Sequence, residues 1–583
     1  MKKKIKQIAC MLTALSLFLT VVGCGSKPND VSSDVILGIE YIDDGSAGDD
    51  NSLTSDGNTN VPSGLEINKS SEGAKVVNNC YETGYPIAKE KVTLNVMAVD
   101  YSDGVDYNSM PFTSFVEQKF NIKLKFTMIN NLTTTEKVTL AYTSGNMPDM
   151  FWGIGLVENN TLFPYEKEGR VYALDGDLSK YTPNLNAMFA KRKDAKYLTT
   201  RDDGHVYSFP LVREDSGLWW EKLYINTTWL KKLGLSMPKN IDELKNVLRA
   251  FKNNDPNGNG KQDEIPMAFY QEIPQGWYGI FGLGTADFTT KDKDGTVTFV
   301  PTNPKYKTAV SCLADLYQEK LLYNKEIRSL SAAKIKSMIE SKNNTIGITQ
   351  AENYEQIMSA DTFLNDYAVM PLIDGTGNGT NTWSYRDTEM LWPNWAQITK
   401  NCKYPEIAAR LMDYFYCTEG AAVAQYGPYG KNMYWNYDEN GKPVINNNGK
   451  DYTKLSPSHA VPRYYNDSVL AENFFSNKAV DKDATKQRAR EVQAAQIKEI
   501  FKNVKPNYVY NYRYTADETD KLNKQVSSNL YSIHTNWRFD FIYGTKNIKT
   551  EWDGYVSLLN SQGASVLQQV KQAADKRLMD AIK

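Results

Sequence analysis

Histidine and cysteine are scarce in this chain, and neither sign of charge prevails. Its 583 residues include three histidines and six cysteines, and the formal net charge is −2. A nearly neutral chain offers no basic face for nucleic acid, so we expect no nucleic-acid partner. So few cysteines form no dense disulfide framework, and a chain of this length buries a core large enough to fold without one.

Motifs of hydrolases and nucleotide-binding enzymes are also missing. The sequence contains no Gly-x-Ser-x-Gly, no His-Glu-x-x-His and no Gly-x-x-x-x-Gly-Lys segment, which are the motifs of nucleophile elbows, zinc peptidases and phosphate-binding loops. The histidines, His205, His459 and His534, are widely separated. We therefore expect a binding protein without catalytic residues. A glycoside hydrolase is the alternative, because it needs only two carboxylates and the chain has 69 acidic residues.

Residues 1–23 have the features of a secretory signal. Four lysines occur among the first six residues, and an apolar run over residues 8–22 follows, too short and too poorly flanked for a membrane-spanning helix. The run ends in Val21-Val22-Gly23-Cys24, which resembles the lipobox of bacterial lipoproteins. We expect cleavage before Cys24 and lipidation of its thiol, which anchors the protein to the outer face of the cell membrane. The alternative is an ordinary signal peptide followed by a chance cysteine.

Composition divides the rest of the chain into a tether and a folded body. Ser, Gly, Asp and Asn dominate residues 24–80, and aromatic residues are nearly absent there. Such a segment buries too little apolar surface to offset the entropy of ordering, so we expect it to be flexible. Residues 81–583 are rich in aromatics, and roughly 500 residues exceed a single hydrophobic core. At least two domains are therefore expected.

The body opens with alternating strand and helix patterns. Residues 92–99 and 122–129 alternate between apolar and polar side chains, as strands do, whereas 108–120 has apolar residues at helical spacing. A second helix is predicted over 134–142, and the apolar run 150–152 follows it. This β-α-β-α-β order predicts a parallel sheet of an α/β fold, whose ligands bind outside the carboxyl ends of the strands.

The sequence predicts where three further helices begin, because each has residues typical of a helix N-terminus. Asn240 precedes a helix with Glu243 three residues on, which is the spacing of a capping box. Pro405 occupies the first position of another helix, where proline is favoured. Thr515 and Glu518 cap a third helix, whose apolar stripe is predicted to continue as far as residue 537.

Residues 255–264 give the sharpest local signal for a metal. Oxygen-bearing side chains stand at alternate positions, and glycines allow a tight turn. This pattern is typical of an EF-hand-type loop around a hard cation such as Ca²⁺. The last position of such a loop falls on Pro266, so the preceding glutamate would have to supply the bidentate carboxylate, and a turn without metal is the alternative. The predicted ligands of a structural Ca²⁺ are Asp255, Asn257, Asn259, the Lys261 carbonyl, Asp263 and Glu264.

Aromatic residues are the abundant feature of the body. The sequence has 11 tryptophans and 37 tyrosines. Flat rings stack against the C–H faces of sugars while polar side chains bind the hydroxyls, and core packing is the alternative for each ring. No basic cluster favours an acidic sugar, so a neutral oligosaccharide is preferred. The candidate ligand contacts are Trp152, Trp219, Trp220, Trp277, Trp392, Trp395, Tyr429, Trp435 and the polar Arg386.

Segments spread over residues 90–583 carry the motifs of one family. They include 203–210, 223–235, 404–415 and 552–556. Together they resemble the extracellular solute-binding proteins of ABC importers, family 1 of carbohydrate type, and in particular its LipO-like and alginate-binding lipoproteins. The resemblance implies two α/β lobes, each formed by discontinuous segments, with a hinge and a ligand cleft between them. In the alginate-binding relatives, the loop that matches 255–264 holds calcium.

The resemblance also implies a function in uptake. A protein of this family captures its solute outside the cell and delivers it to the permease subunits of an ABC transporter. We expect a monomer that binds an oligosaccharide. A peptide or another small solute is the alternative ligand, because a fold does not fix its ligand. A surface adhesin would share the anchor and tether but would lack the two lobes.

Overall fold

The computed structural model of the protein describes residues 70–583. Short gaps fall at residues 102–103, 215–220, 271, 284–288, 292–293, 324, 326, 378, 380–382, 385–388, 447–453, 459, 467–473, 477–482, 502–505 and 508–511. The predicted signal peptide, Cys24 and most of the predicted tether lie outside the described residues.

Eighteen strands and eighteen helices are found in this part of the chain. The strands are β1 (Val76–Val77), β2 (Cys80–Tyr81), β3 (Val92–Asp100), β4 (Ile122–Asn130), β5 (Met150–Trp152), β6 (Phe209–Glu214), β7 (Lys222–Asn226), β8 (Ile265–Met267), β9 (Thr289–Lys291), β10 (Val297–Phe299), β11 (Ile346–Ala351), β12 (Tyr367–Val369), β13 (Trp383–Ser384), β14 (Glu389–Ile398), β15 (Trp435–Tyr437), β16 (Pro443–Ile445), β17 (Tyr464–Asn466) and β18 (Pro506–Asn507). The helices are α1 (Pro111–Phe120), α2 (Thr134–Ser144), α3 (Asn159–Lys167), α4 (Pro183–Lys191), α5 (Lys193–Thr199), α6 (Thr227–Lys232), α7 (Ile241–Asn253), α8 (Gln275–Ile280), α9 (Pro304–Gln318), α10 (Ala332–Ile339), α11 (Ala360–Asp366), α12 (Pro405–Tyr414), α13 (Thr418–Tyr426), α14 (Ala484–Phe501), α15 (Ala516–Gln525), α16 (Leu530–Tyr543), α17 (Ile548–Ser561) and α18 (Ala564–Ile582).

The first lobe is built on a six-stranded sheet with the order β17-β6-β14-β5-β3-β4. Strand β3 runs parallel to both β4 and β5, which confirms the predicted β-α-β-α-β unit. In β3, buried Val92, Leu94 and Val96 alternate with exposed polar residues, so one row of side chains enters the core. Strand β14 returns antiparallel to β5 and β6, so the sheet is mixed.

The second lobe is built on a four-stranded sheet with the order β12-β7-β11-β8. All residues of β7 and β11 are buried, because apolar side chains cover both faces of the sheet. On one face, Ile225 and Ile348 belong to a core with α7, α9, α16 and α17. On the other face, Tyr224 and Ala351 belong to a core with α10, α11 and α14. The second lobe is therefore a sheet between two helical layers.

The chain passes between the two lobes several times. It leaves the first sheet after β6 and enters the second at β7, returns between β12 and β14, and passes again between β17 and α14. The final helix, α18, contacts both lobes. Its Leu567 belongs to the core of the second lobe, whereas Leu578 belongs to the core of the first. Discontinuous segments thus form each lobe, as the family resemblance implies.

A buried polar network fixes β14 within the first sheet. The Gln397 side chain is fully buried and donates from Nε2 to Glu166 Oε1 (2.6 Å) and Ser208 Oγ (2.9 Å). It accepts a hydrogen bond from the Tyr142 hydroxyl at 2.6 Å. Glu166 also forms a buried ion pair with Arg201 at 2.6 Å. Because every member has a partner, this network specifies the position of β14.

The folded body begins earlier than the sequence boundary at residue 81. Strands β1 and β2 form a small antiparallel hairpin, with Asn78 and Asn79 at positive φ in its turn. Cys80 is fully buried in the core of the first lobe, and Arg410 donates to the Tyr81 carbonyl oxygen. A few anchoring contacts hold this short hairpin, and composition alone does not reveal them. Residues 70–80 therefore belong to the body and not to the tether.

The predicted helix that starts at Thr515 is shorter than its apolar stripe. Thr515 and Glu518 form the predicted capping box, but α15 ends at Gln525 and Val526 is extended. The Ser527 N–H donates to the Gln562 carbonyl at 2.9 Å instead of continuing the helix. The stripe resumes in α16. The prediction of one continuous helix was therefore wrong, because two successive helices share the stripe. The caps at Asn240 and Pro405 are confirmed.

Two further features concern cross-links and the membrane. The four cysteines in the described part of the chain, Cys80, Cys312, Cys402 and Cys417, are all free thiols. Among the described residues, no helix combines the length and apolar composition that are needed to cross a bilayer.

Candidate functional site

One edge of the first sheet collects aromatic residues. Because β3 and β5 are parallel and β14 is antiparallel to β5, the carboxyl end of β5 meets β14 at Ala396, directly after Trp395. Tyr101 directly follows β3, and Trp392 and Trp395 lie on β14. The register of β14 shifts between Trp392 and Ala396, which is a bulge that turns this stretch away from regular pairing. This is the edge at which open α/β sheets bind ligands.

The three rings pack together as one aromatic cluster, in which Tyr101 and Trp392 are partly exposed and Trp395 is 5% exposed. Tyr101 and Trp395 are parallel, with ring centroids 5.9 Å apart and an interplanar angle of 8°. Trp392 lies 5.2 Å from Trp395 at 53°. The Tyr101 hydroxyl donates to the Gly153 carbonyl at 2.7 Å, which holds its ring in place. The Nε1–H of Trp395 is buried and has no hydrogen-bond partner in the described structure.

Gly155 permits this arrangement of tryptophans. A Cβ at this position would lie 2.3 Å from Cε3 of Trp395 and 3.3 Å from Cδ1 of Trp392. Any larger residue would displace the indole rings. The neighbouring Ile154 N–H donates to the Trp395 carbonyl at 3.0 Å, so the loop after β5 and the bulge of β14 support each other. A flat, partly polar aromatic surface of this kind suits a ring-shaped ligand with apolar faces and polar edges.

Three other candidate tryptophans are packing residues. Trp152, Trp277 and Trp435 have no exposed surface. Trp277 donates from Nε1 to the Ala309 carbonyl at 3.1 Å, and Trp435 donates to the Gly427 carbonyl at 2.8 Å. Trp152 is at the expected strand end, but its ring belongs to the core of the first lobe. We do not retain a ligand role for these three, because their rings are enclosed by protein.

Tyr429 also has a structural role. Its hydroxyl accepts a hydrogen bond from Lys119 Nζ at 3.3 Å, and the same ammonium lies 5.1 Å from the ring centre of Tyr85. Glu419, which is buried, lies 3.4 Å from Lys119. Tyr429 therefore helps to enclose a buried ion pair and is not retained as a ligand contact. Trp219, Trp220 and the side chain of Arg386 lie outside the described structure, so their predicted roles stay predictions.

The second lobe contributes polar groups that the sequence predictions missed. Gln350, near the carboxyl end of β11, is fully buried. It donates from Nε2 to the carbonyls of Tyr270 (3.2 Å) and Glu272 (3.4 Å), in the segment that follows β8. Its Oε1 is buried without a hydrogen-bond partner. The only sequence signal was a polar residue inside an apolar strand, which is unusual but does not specify a site.

Lys222 is a second buried polar group at this edge. It is the first residue of β7, where the chain enters the second lobe, and it has no exposed surface. Its Nζ donates to the Glu352 carbonyl at 2.7 Å. Burial lowers the pKa of Lys222 to about 7, although the nearby Glu352 and Glu221 carboxylates oppose the shift. In the sequence, a lysine at the start of an apolar strand suggests an exposed charge. Lys222 was therefore not predicted as a buried group.

The loop over residues 255–264 folds around its first side chain. Asp255 has a φ of 47° and accepts hydrogen bonds from three backbone N–H groups, with Gly260 the nearest at 2.8 Å. Asp263 accepts from the side-chain amides of Asn257 (3.0 Å) and Asn259 (2.9 Å). The predicted ligand residues thus converge. Rotation of the two amides about their last bond would present oxygens in place of N–H groups.

Glu264 is the strongest indication that this loop fits a cation. Both of its carboxylate oxygens are buried and lack a hydrogen-bond partner. Burial raises the pKa of Glu264, and the nearby Asp255 and Asp263 carboxylates raise it further. Within the described residues, no three His, Cys, Asp or Glu side chains form a metal site by themselves. A cation here would therefore also need the amide oxygens of Asn257 and Asn259.

Comparison with known proteins defines the class. The family of bacterial extracellular solute-binding proteins matches residues 111–422, which is more than half of the chain. The chain therefore belongs to this family. It is 27% identical over 516 residues to the fructooligosaccharide ABC transporter substrate-binding protein FusA of Streptococcus pneumoniae, covering 84% of this chain and 90% of FusA. It is also 26% identical over 298 residues to the lipoprotein LipO of Bacillus subtilis, covering 48% of this chain and 54% of LipO.

Solved structures agree with the fold. FusA in complex with kestose superposes with a TM-score of 0.66 at 26% identity, covering 84% of this chain and 100% of FusA. A FusA EF-hand mutant in complex with fructo-nystose also gives a TM-score of 0.66, at 24% identity and with the same coverage. The chain therefore has the two-lobed fold of periplasmic solute-binding proteins, with a hinge and a cleft between the lobes. The aromatic edge of one lobe and the polar edge of the other are the candidate walls of this cleft.

The buried Lys222 predicts a pH dependence of stability. Its pKa is about 7 in the folded protein against an ordinary value of 10.5, so the unfolded chain binds more protons between these pH values. Stability should therefore rise as the pH increases from about 7 to about 10. In Lys222→Met this rise should be smaller, with the remainder due to Lys571, whose pKa burial lowers to about 8. Melting temperatures across this pH range test the prediction, with the exposed Lys342→Met as control; equal slopes in all variants would contradict it.

Proposed function

We propose that the protein is the carbohydrate-binding component of an ABC importer, which captures a neutral oligosaccharide and delivers it to the permease. The observation that carries this proposal is the aromatic surface of Tyr101, Trp392 and Trp395 at the cleft edge. It occurs in a chain that matches a fructooligosaccharide-binding protein over 84% of its length. The proposal assigns binding without catalysis, and a monomer as the working form.

In this proposal, the two walls contact different parts of the sugar. The rings of the first lobe cover the apolar C–H faces of a sugar, and the indole N–H of Trp395 is available to a hydroxyl. Polar groups of the second lobe, such as the Gln350 oxygen, meet the sugar from the opposite side when the lobes close. Closure removes water from both walls, which strengthens the hydrogen bonds between protein and ligand.

Replacement of the two tryptophans at this edge tests the proposal. In Trp392→Ala and Trp395→Ala, loss of the stacking surface should weaken oligosaccharide binding by about tenfold or more. Trp537→Ala, in the second lobe, removes a half-buried ring outside the cleft and should leave the affinity unchanged. Calorimetric titration with a panel of neutral oligosaccharides, including kestose, measures the effect. Binding of peptides alone, or release of reducing sugar from the glycans, would contradict the proposal.

We also propose that the loop over residues 255–264 holds a structural Ca²⁺. The buried and unpartnered Glu264 carboxylate supports this, as does the convergence of Asp255, Asn257, Asn259 and Asp263. The Lys261 carbonyl would complete the set. The solved structure of a FusA EF-hand mutant supports such a loop in this family. When bound, the cation supplies positive charge to carboxylates that otherwise repel one another.

Calcium should therefore stabilise the protein. Chelator-treated protein should melt at a lower temperature, and Ca²⁺ at 100 times its dissociation constant should add about 2.7 kcal/mol to the free energy of unfolding. Glu264→Gln should abolish the response, because it removes the buried charge. Glu439→Gln, an exposed turn residue, is the matched control. Identical melting of the untreated and chelator-treated proteins, with no calorimetric heat from Ca²⁺, would remove the site.

We propose that the mature protein is anchored through a lipid on Cys24 and that residues 24–69 connect the anchor to the body. The lipobox-like sequence and the similarity to the lipoprotein LipO support this. Cys24→Ser should release the protein into the medium, since the lipid is the proposed attachment. Cys10→Ser, within the signal segment, should leave the protein on the cell surface. Fractionation of cells and medium measures both, and surface retention of Cys24→Ser would refute the anchor.

A further inference from the structure

Three carboxylates gather at the cleft edge of the second sheet. Glu221 precedes β7 and Glu352 follows β11, and the pairing of Lys222 with Ala351 brings these two residues side by side. Glu272 lies in the segment after β8, the neighbour of β11 on the other side. A Cβ at Gly276 would lie 3.3 Å from the Glu221 carbonyl, so this segment also borders the entry to β7. The edge is therefore acidic on three adjacent strands.

Glu272 is the most rigidly held of the three. Its Oε1 accepts a hydrogen bond from the Ile273 N–H at 2.8 Å, and its Oε2 lies 2.7 Å from Nη2 of Arg538. The Arg538 side chain has no exposed surface, whereas 29% of the Glu272 side chain is exposed. The arginine thus supports the carboxylate from within the lobe, and the carboxylate faces outward. A carboxylate fixed in this way accepts hydrogen bonds without having to be ordered first.

Gln350 gives independent evidence that a ligand belongs here. The side chain is fully buried and bonds to the carbonyls of Tyr270 and Glu272, so it lies directly beneath the segment that carries the carboxylate. Its Oε1 has no hydrogen-bond partner. A buried acceptor without a partner is costly, and a hydroxyl donor at this edge would satisfy it.

We propose that Glu272 is the specificity-determining residue of the cleft, accepting hydroxyl hydrogen bonds from a neutral sugar and excluding uronates. This inference rests on the function proposed above. A sugar hydroxyl donates to the Glu272 carboxylate and to Gln350 Oε1. A uronate would bring its own carboxylate to an edge where three carboxylates already outnumber the two nearby cations, Lys222 and Arg538, in a cleft from which water is removed on closure. Like charges in such a place repel strongly, so the acidic edge selects by charge.

Charge-neutral replacement of Glu272 tests the inference. We would titrate wild type, Glu272→Gln and Glu319→Gln with neutral fructooligosaccharides and with oligogalacturonates of equal length. Wild type should bind the neutral series and reject the uronates. Glu272→Gln should bind the neutral ligand roughly 10- to 100-fold more weakly, the effect of a lost hydrogen bond to a charged group, and should discriminate less against uronates. Glu319, which pairs with Arg249 on the surface of the same lobe, is the matched control and should change neither.

The outcomes separate this inference from the proposed function. Because Glu272→Gln leaves Arg538 buried without its carboxylate, its melting temperature is measured first, and Glu352→Gln replaces it if it does not fold. If neutral glycans bind but uronates bind equally well, or if both edge variants bind as wild type, the role of the acidic edge is overturned and sugar capture stands. If glycans of neither class bind, the proposed function itself fails.

Discussion

The chain leaves the six-stranded sheet after β6 and enters the four-stranded sheet at Lys222. This passage between the lobes determines where the hinge and a ligand site can lie. Both faces of the four-stranded sheet are covered by apolar cores, so only its edges remain for a ligand. The segments that connect the lobes depart from the same edges. A ligand that contacts both edges therefore lies beside the hinge, where a small rotation changes the distance between the walls.

The two walls proposed for the cleft are chemically unlike. The wall of the first lobe is aromatic, and its shape depends on Gly155 and on the bulge of β14. The wall of the second lobe is polar and acidic, and it is fixed from behind by Gln350 and Arg538. Buried polar atoms without partners are rare in folded proteins. Among the buried polar atoms without a partner in the described structure, the Trp395 N–H, the Gln350 oxygen and the Glu264 carboxylate belong to proposed binding sites, whereas others, such as the Trp152 N–H, do not.

The sequence revealed the regular parts of this structure more readily than its site. The β-α-β-α-β unit and the helix caps depend on neighbouring residues, so periodicity and capping residues were sufficient to predict them. The break between α15 and α16 depends on a contact between Ser527 and Gln562, which no local pattern contains. Tryptophan in a predicted loop was an ambiguous signal, because Trp277 and Trp395 look alike in sequence. One is enclosed by helices and the other stacks on Tyr101 at an edge. The metal loop was recognisable because its ligands are consecutive in the chain, whereas the acidic edge unites residues from three strands.

Small-angle scattering of the mature protein tests most directly whether a solute is gripped between two moving lobes. The account predicts that a saturating neutral oligosaccharide reduces the radius of gyration, because closure brings the lobes together. A radius that stays constant while the oligosaccharide demonstrably binds would contradict it, since the ligand would then occupy a surface that takes no part in closure.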